Sequence, residues 1–322
     1  MVIKLSDNLQ LALQEVAEGL EERMSVLLGM PEADDGNVIP LKSCEIQKTQ
    51  GGVVEGEAKV LEAMRYSAMS GGKRLRPFLT MCAASLFGVS REAGLQVASA
   101  IEFVHTYSLI HDDLPAMDDD ALRRGKPSCH IVFGEAAAIL AGDGLLTYAF
   151  QVITDPKVHA DPHVRCELVR ALAQAAGCWG MVGGQMMDME AQNQTLPIDQ
   201  IIRLQRLKTG ELFAISCESG AILGKAPLPL RGRLRSYAHD LGLAFQITDD
   251  LLDAEGTRTE TGKGVQKDKG AGKATLVSVL GIERAKQQAK ILAKQAVSHL
   301  EAFDRKADHL RALAEFVITR KG

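Results

Sequence analysis

The sequence predicts an all-α fold in one domain, and three observations predict it. Ala, Leu and Met are abundant, whereas Phe, Trp and Tyr make up only 4% of the 322 residues, a composition that leans towards helix. Apolar positions recur three and four apart along most of the chain, as on one face of a helix. No stretch alternates apolar and polar residues as a half-buried strand does.

The elements follow in order. Leu9, Leu13, Val16, Leu20, Met24 and Leu27 mark a first amphipathic helix. Residues 29–56, with Pro31, Pro40, an Asp-Asp-Gly turn and Gly51-Gly52, read as a long loop or mobile segment. A helix from about Ala58 to Met69 stops at Gly71-Gly72, and Pro77 opens the next, which closes near Gly88. Ser90 is a good N-cap for the helix that follows. Pro115 ends that helix, because the residue before a proline leaves the helical region. Helices are expected over residues 135–153, 162–192, 198–223 and 231–254, with Asp161-Pro162 as the start signal of the second. Residues 256–273 are rich in Gly, Lys and Thr and read as a flexible basic loop. Helices over 274–303 and 306–320 close the chain.

Composition excludes several classes of function. A chain with 46% hydrophobic and 24% charged residues and a net charge of −4 has ordinary globular composition and length enough for a large core. That charge argues against a nucleic-acid surface. No apolar run approaches the roughly 18 to 20 residues of a membrane span, and Met-Val-Ile-Lys-Leu-Ser-Asp lacks the pattern of a signal peptide. The six cysteines are scattered, with no Cys-x-x-Cys pair, and read as reduced thiols of a cytoplasmic protein.

Residues 105–124 carry the first chemistry. An apolar helix runs into five aspartates, Asp112, Asp113, Asp118, Asp119 and Asp120, and then into Arg123 and Arg124. Anions are unfavourable at a helix C-terminus, so the cluster demands a cation from outside the chain. A second cluster, Asp249, Asp250 and Asp253, lies near the end of another expected helix, with Asp249 and Asp253 on one face. Asp112 and Asp118 would sit on different faces of a continuous helix; the break at Pro115 lets Asp118 swing back. A lone acidic stretch is ordinarily a solvated loop, but two of them, each closing an apolar helix, point to metal. Oxygen ligands without His or thiolate favour magnesium, and the EF-hand spacing of a calcium site is absent.

Basic residues supply the other half. Lys73 and Arg76 follow the Gly-Gly turn, Lys208-Thr209 sits within an expected helix, and Lys263 and Lys273 lie in the glycine-rich loop. Arginine forks match phosphate oxygens and lysine acts as a mobile point charge. At an effective dielectric near 20, each like-charge contact at about 4 Å costs on the order of 4 kcal/mol. Diphosphates could approach these carboxylates only with metal bridging the two, an arrangement suited to diphosphate departure.

With these motifs the sequence resembles the trans-isoprenyl diphosphate synthases, or polyprenyl synthetases, over roughly residues 58–322. Within that family it is most similar to the bacterial farnesyl diphosphate synthases. Gly71-Gly72-Lys73-Arg74-Leu75-Arg76-Pro77 resembles the family's Gly-Gly-Lys-x-x-Arg segment, and Asp112 to Asp118 the first aspartate-rich motif in its longer form. Gly183-Gly184-Gln185 with Asp188 resembles a middle motif, and Asp249-Asp250-Leu251-Leu252-Asp253 the second aspartate-rich motif. The resemblance implies a bundle of about ten or more helices around a central active-site cavity, and a homodimer. It implies condensation of isopentenyl diphosphate with dimethylallyl or geranyl diphosphate, head to tail. Asp112, Asp118 and Asp249 would hold three magnesium ions, with Asp113, Asp250 and Asp253 in support. Arg123, Lys208, Thr209, Gln246, Lys263 and Lys273 would contact the allylic diphosphate. Lys73, Arg76, His105 and Arg124 would bind isopentenyl diphosphate.

His105 lies two turns before Asp112 on the same face, which fits a site contact; His111 faces elsewhere and reads as structural. If Asp112 marks the mouth of a cavity, Ser108 and Tyr107 lie about 6 to 7.5 Å deeper at the helical rise. A bulky Tyr107 would then be the floor, and the expected product is C15. Three alternatives stand beside this one. A C20 synthase would differ only in cavity depth. A non-catalytic partner subunit would tend to lose one acidic motif, and both are intact here. A terpene cyclase would mix Asn, Ser or Thr, and Glu at its second metal site, which Asp249-Asp250-x-x-Asp253 does not.

Overall fold

The computed structural model describes residues 4–29, 55–192, 194, 196–255 and 275–320. Lys263 and Lys273 lie outside the described residues, as does nearly all of the two expected loops at 29–56 and 256–273. The fold is all-α. Helix α1 spans Lys4–Leu27, α2 Glu55–Ala68, α3 Leu75–Leu86 and α4 Arg91–Asp112. A small hairpin, β1 (Leu122–Arg123) with β2 (Lys126–Pro127), leads to α5 (Cys129–Phe133) and α6 (Glu135–Thr154). Then come α7 (Pro162–Ala176), α8 (Met181–Glu190), α9 (Ile198–Gln205), α10 (Glu211–Leu223) and α11 (Leu228–Glu255). The last helices are α12 (Leu276–Leu280), α13 (Ile282–His299) and α14 (Asp308–Thr319).

Local chemistry sets several boundaries as expected. Ser90 Oγ accepts from the Ala93 N–H at 3.2 Å, capping α4. Asp161 caps α7 through the His163 N–H at 3.0 Å, with Pro162 in the first turn.

Four features depart from the expected pattern. Residues 162–192 form two helices, because the chain turns between Gly177 and Gly180. Residues 198–223 are interrupted by a π-helical turn, Arg206–Gly210. Gly281 divides 274–303 into α12 and α13. Apolar spacing continues across each of these points, so periodicity alone conceals them. The hairpin was not expected either: its strands are too short to show alternation, and Arg124 (φ 54°) and Gly125 (φ 76°) form the left-handed two-residue turn.

Two adjoining cores hold the helices together. The first takes side chains from the later half of α1 and from α2, α4, α6 and α7, including Leu20, Phe103, Tyr107, Leu145 and Leu168. The second takes Phe78, Leu79, Tyr237, Leu241, Leu292 and Leu313 from α3, α11, α13 and α14. Helix α10 belongs to both: Leu212 and Ile215 face the first, Phe213 and Cys217 the second. The long helices α4 and α11 therefore run in different halves of the molecule, with α10 between them. Helix α6 corrects one expectation. It is 20 residues long and holds an 18-residue window of mean hydropathy 1.5, which by length and composition alone is enough to cross a membrane. It packs along α4, but less than half of that apolar window is buried.

Candidate active site

The end of α4 shows how the first acidic cluster is built. Beyond Asp112 the chain folds back over the last helical turn. The N–H of Asp118 donates to the Asp112 carbonyl at 2.9 Å, that of Asp119 to Leu114 at 3.2 Å, and that of Asp120 to Asp113 at 3.2 Å. With the Asp113 N–H on the Leu109 carbonyl and the Leu114 N–H on that of His111, three of the last four helix carbonyls are satisfied, and Asp118 returns beside Asp112. Burial pushes the Asp112 carboxyl up to about 6; Lys208 and Arg123 oppose the rise, and Asp118 and Asp113 add to it. Asp113 faces inward. It is 2% exposed and accepts from Arg123 Nε at 2.9 and 3.2 Å and from Arg123 Nη2. Its role in the fold is to orient Arg123 across the hairpin.

The second cluster closes α11. Asp249 accepts from Arg320 Nη2 at 2.5 Å, and the Arg320 guanidinium stacks 4.0 Å from the Phe245 ring centre. Asp250 is buried and accepts from Gln246 Nε2 at 3.0 Å; Asp253 is half-buried one turn on.

The π turn joins the two clusters. Lys208 Nζ donates to Asp188 on α8 at 2.5 Å, and its charge also reaches Asp112. Thr209 Oγ1 donates to Gln246 Oε1 at 3.5 Å, and Gln246 in turn holds Asp250. Lys208 and Thr209 thus face opposite acidic clusters from adjacent positions, an arrangement the wide turn permits. Gly184 makes it possible from the other side. A Cβ there would lie 2.2 Å from the Lys208 backbone nitrogen.

The remaining cations gather at the α2–α3 turn. Gly72 has φ 121°, and a Cβ on it would lie 2.5 Å from Arg124 Cζ. The Arg124 guanidinium therefore lies directly on this glycine, and Nη1 donates to the Gly71 carbonyl. Arg76 Nη1 lies 3.3 Å from His105 Nε2. Burial, followed by the charges of Arg76, Arg124, Arg74 and Arg123, holds the His105 pKa well below 6.5. The ring is neutral, and since arginine only donates, Nε2 accepts and Nδ1 carries the proton. Lys73 is exposed beside them.

Behind His105, Tyr107 is buried and meets the His111 ring edge-on at 5.7 Å. His111 Nε2 bonds to the Ile139 carbonyl at 3.0 Å, the structural place expected of it. Ser108 Oγ donates to the His105 carbonyl at 2.9 Å. Two cavities flank the acidic clusters. One of about 30 Å³ lies under the hairpin beside Asp113, and one of about 230 Å³ lies behind α11 beside Leu252 and Arg320.

The donor set suits magnesium, because Asp112, Asp118 and Asp249 offer hard oxygen atoms only. Among the described residues no three His, Cys, Asp or Glu side chains converge on one point. Any metal held here would take part of its shell from substrate oxygens, the ordinary habit of magnesium.

Two charged residues were missed in the sequence. Arg320 ends the last expected helix, and nothing local signals its pairing with Asp249. Glu102 had a signal: it is an acid inside the apolar run that leads to His105.

Comparison with known proteins identifies the lineage. The sequence profile of the polyprenyl synthetases matches residues 57–314. The chain belongs to the polyprenyl synthetase family. This polyprenyl synthetase is 47% identical over 268 residues to the farnesyl diphosphate synthase of Geobacillus stearothermophilus, covering 83% of this chain and 90% of that protein. It is 41% identical to a geranylgeranyl diphosphate synthase of Cyanophora paradoxa over 81% of this chain and 87% of that protein. Its fold superposes on the crystal structure of an FPP/GFPP synthase from Zymomonas mobilis with a TM-score of 0.82, at 44% identity, covering 97% and 99% of the two chains.

Proposed function

We propose that the chain is a magnesium-dependent farnesyl diphosphate synthase, acting in the cytoplasm. It would join isopentenyl diphosphate head to tail to dimethylallyl and then geranyl diphosphate, releasing diphosphate at each step. The observation that carries this reading is the π turn, which links the acidic ends of α4 and α11 through Lys208, Thr209 and Gln246. The kinship with proteins named farnesyl diphosphate synthase supports the substrate class.

In this reading Asp112, Asp118 and Asp249 hold the metal, with Asp113, Asp250 and Asp253 behind them. Magnesium, when bound, would stabilise the negative charge that collects on the departing diphosphate. Arg123, Lys208, Thr209 and Gln246 grip the allylic diphosphate from two sides, together with Lys263 and Lys273. Before substrate arrives, Asp113 and Asp188 hold Arg123 and Lys208 in place, so little reorganisation is needed. Lys73, Arg76 and Arg124 take the diphosphate of isopentenyl diphosphate, and the neutral His105 donates from Nδ1. The allylic carbon is attacked by the isopentenyl double bond once the diphosphate leaves, and the released diphosphate removes the proton. Tyr107, with Ser108 beside it, forms the floor that stops growth at C15.

Whole-chain readings accompany this one. The chain acts as one domain, because α10 belongs to both cores. It works as a homodimer, in which a second copy covers the apolar outer face of α5 and α6. Ile131, Val132, Ile139 and Leu140 stand exposed there at 43–55%.

The deciding experiment incubates the protein with magnesium, isopentenyl diphosphate and C5, C10 or C15 allylic diphosphates, followed by chain-length analysis. A C15 end product is expected. A C20 end product would favour the second reading, to which the 41% identity with a geranylgeranyl diphosphate synthase lends weight. Absence of turnover with every pair would sink the assignment.

A further inference from the structure

Helix α4 carries an acid that the reaction above does not use. Glu102 stands one turn before His105 and is 2% exposed. Its Oε1 accepts from Arg74 Nη1 at 2.6 Å. Its charge also reaches Arg76 and Arg124, where it opposes the lowering caused by burial and by the neighbouring arginines. Three arginines thus share the field of this buried carboxylate. Two of them are assigned to isopentenyl diphosphate.

The third, Arg74, is turned away from solvent at 3% exposure. Its backbone is left-handed, with φ 45°, and its Nη2 donates to the Ala68 carbonyl at the end of α2 at 2.8 Å. Glu21 of α1 lies 3.7 Å from the same nitrogen. The cations of Lys73-Arg74-Leu75-Arg76 are therefore sorted: Lys73 exposed, Arg76 half-buried against His105, and Arg74 locked between three helices. A left-handed backbone at a non-glycine residue persists only where its surroundings hold it, and here the Arg74 side chain is held by the Glu102 carboxylate, the Ala68 carbonyl and the nearby Glu21.

Crowded guanidinium groups repel one another, and a buried carboxylate both offsets that repulsion and fixes direction through fork geometry. We propose that Glu102 and Arg74 form a positioning pair for isopentenyl diphosphate. The pair sets the turn so that Lys73, Arg76 and Arg124 meet the diphosphate without rearrangement. This rests on the reading of those three residues as the isopentenyl diphosphate site.

The test is steady-state kinetics of the full chain with magnesium, geranyl diphosphate and isopentenyl diphosphate, alongside thermal melting of each variant. Glu102→Gln is expected to raise KM for isopentenyl diphosphate about tenfold or more while KM for geranyl diphosphate stays within about twofold. Arg74→Lys keeps the charge but loses the fork, and is expected to raise the same KM. Glu102→Asp, which keeps the carboxylate, should recover part of it. A double variant, Arg74→Met with Glu102→Leu, replaces the buried ions with apolar groups and is the control for folding. If it melts like the wild type and keeps the wild-type KM for isopentenyl diphosphate, the pair is packing alone and the proposal is overturned. Equal rises in both KM values across the folded variants would overturn it as well. A wild-type protein that turns over no substrate pair would instead refute the site assignment itself, before any variant is compared.

Discussion

Tyr107 and His105 sit two residues apart on α4 yet face different tasks. Tyr107 points into the first core and packs on His111. If it is the floor of the cavity, Tyr107→Ala should shift the end product from C15 towards C20, read by chain-length analysis of the dephosphorylated products. Truncating a buried aromatic should also cost about 3 to 5 kcal/mol of stability. A variant that loses that stability but still stops at C15 would show Tyr107 to be core packing only. His105 makes a prediction about pH. Burial and the arginines around it hold its folded pKa well below 6.5. As pH falls below about 6.5 the unfolded chain takes up a proton that the folded chain refuses, so stability is lost with falling pH at up to about 1.4 kcal/mol per unit. His105→Gln should flatten the melting temperature of the metal-free protein between about pH 6.5 and 5 relative to wild type.

At the scale of elements, the decisive contact is α8 against the π turn. Gly184→Ala would place a methyl group 2.2 Å from the Lys208 nitrogen; neither backbone can yield without moving Lys208 and Thr209. The expected result is a loss in kcat of about 10- to 100-fold, the order expected from a displacement near 1 Å, with helical content unchanged by circular dichroism. Wild-type kcat in a folded Gly184→Ala protein would remove the π turn from the mechanism. Much of this was visible in sequence: both acidic clusters, the cation segments and the break at Pro115 are local statements about chemistry and backbone. The π turn was not, because one extra residue in a turn leaves the apolar spacing on either side intact. The α7–α8 break was hidden in the same way, although Gly177 and Gly180 flank it.

At the scale of the whole molecule, the apolar outer face of α5 and α6 makes the clearest prediction. Leu140 is 54% exposed and central to that face. Leu140→Glu should convert a dimer into monomers, measured by light scattering or sedimentation, with little change in the far-ultraviolet circular dichroism of the protomer. A wild-type protein that is already monomeric would dispose of the proposed interface. The sequence by itself determined the helical class, the two carboxylate clusters and the basic segments suited to phosphate, which follow from spacing and donor chemistry within short segments. Which residue would meet which diphosphate is what the family resemblance implies. Only the tertiary structure decided where each cation lies: Arg320 on Asp249, Lys208 on Asp188, Arg124 on the Gly72 backbone and Arg74 on Glu102. Each of those pairs joins residues at least 20 positions apart, so only packing of the helices around α10 brings them together.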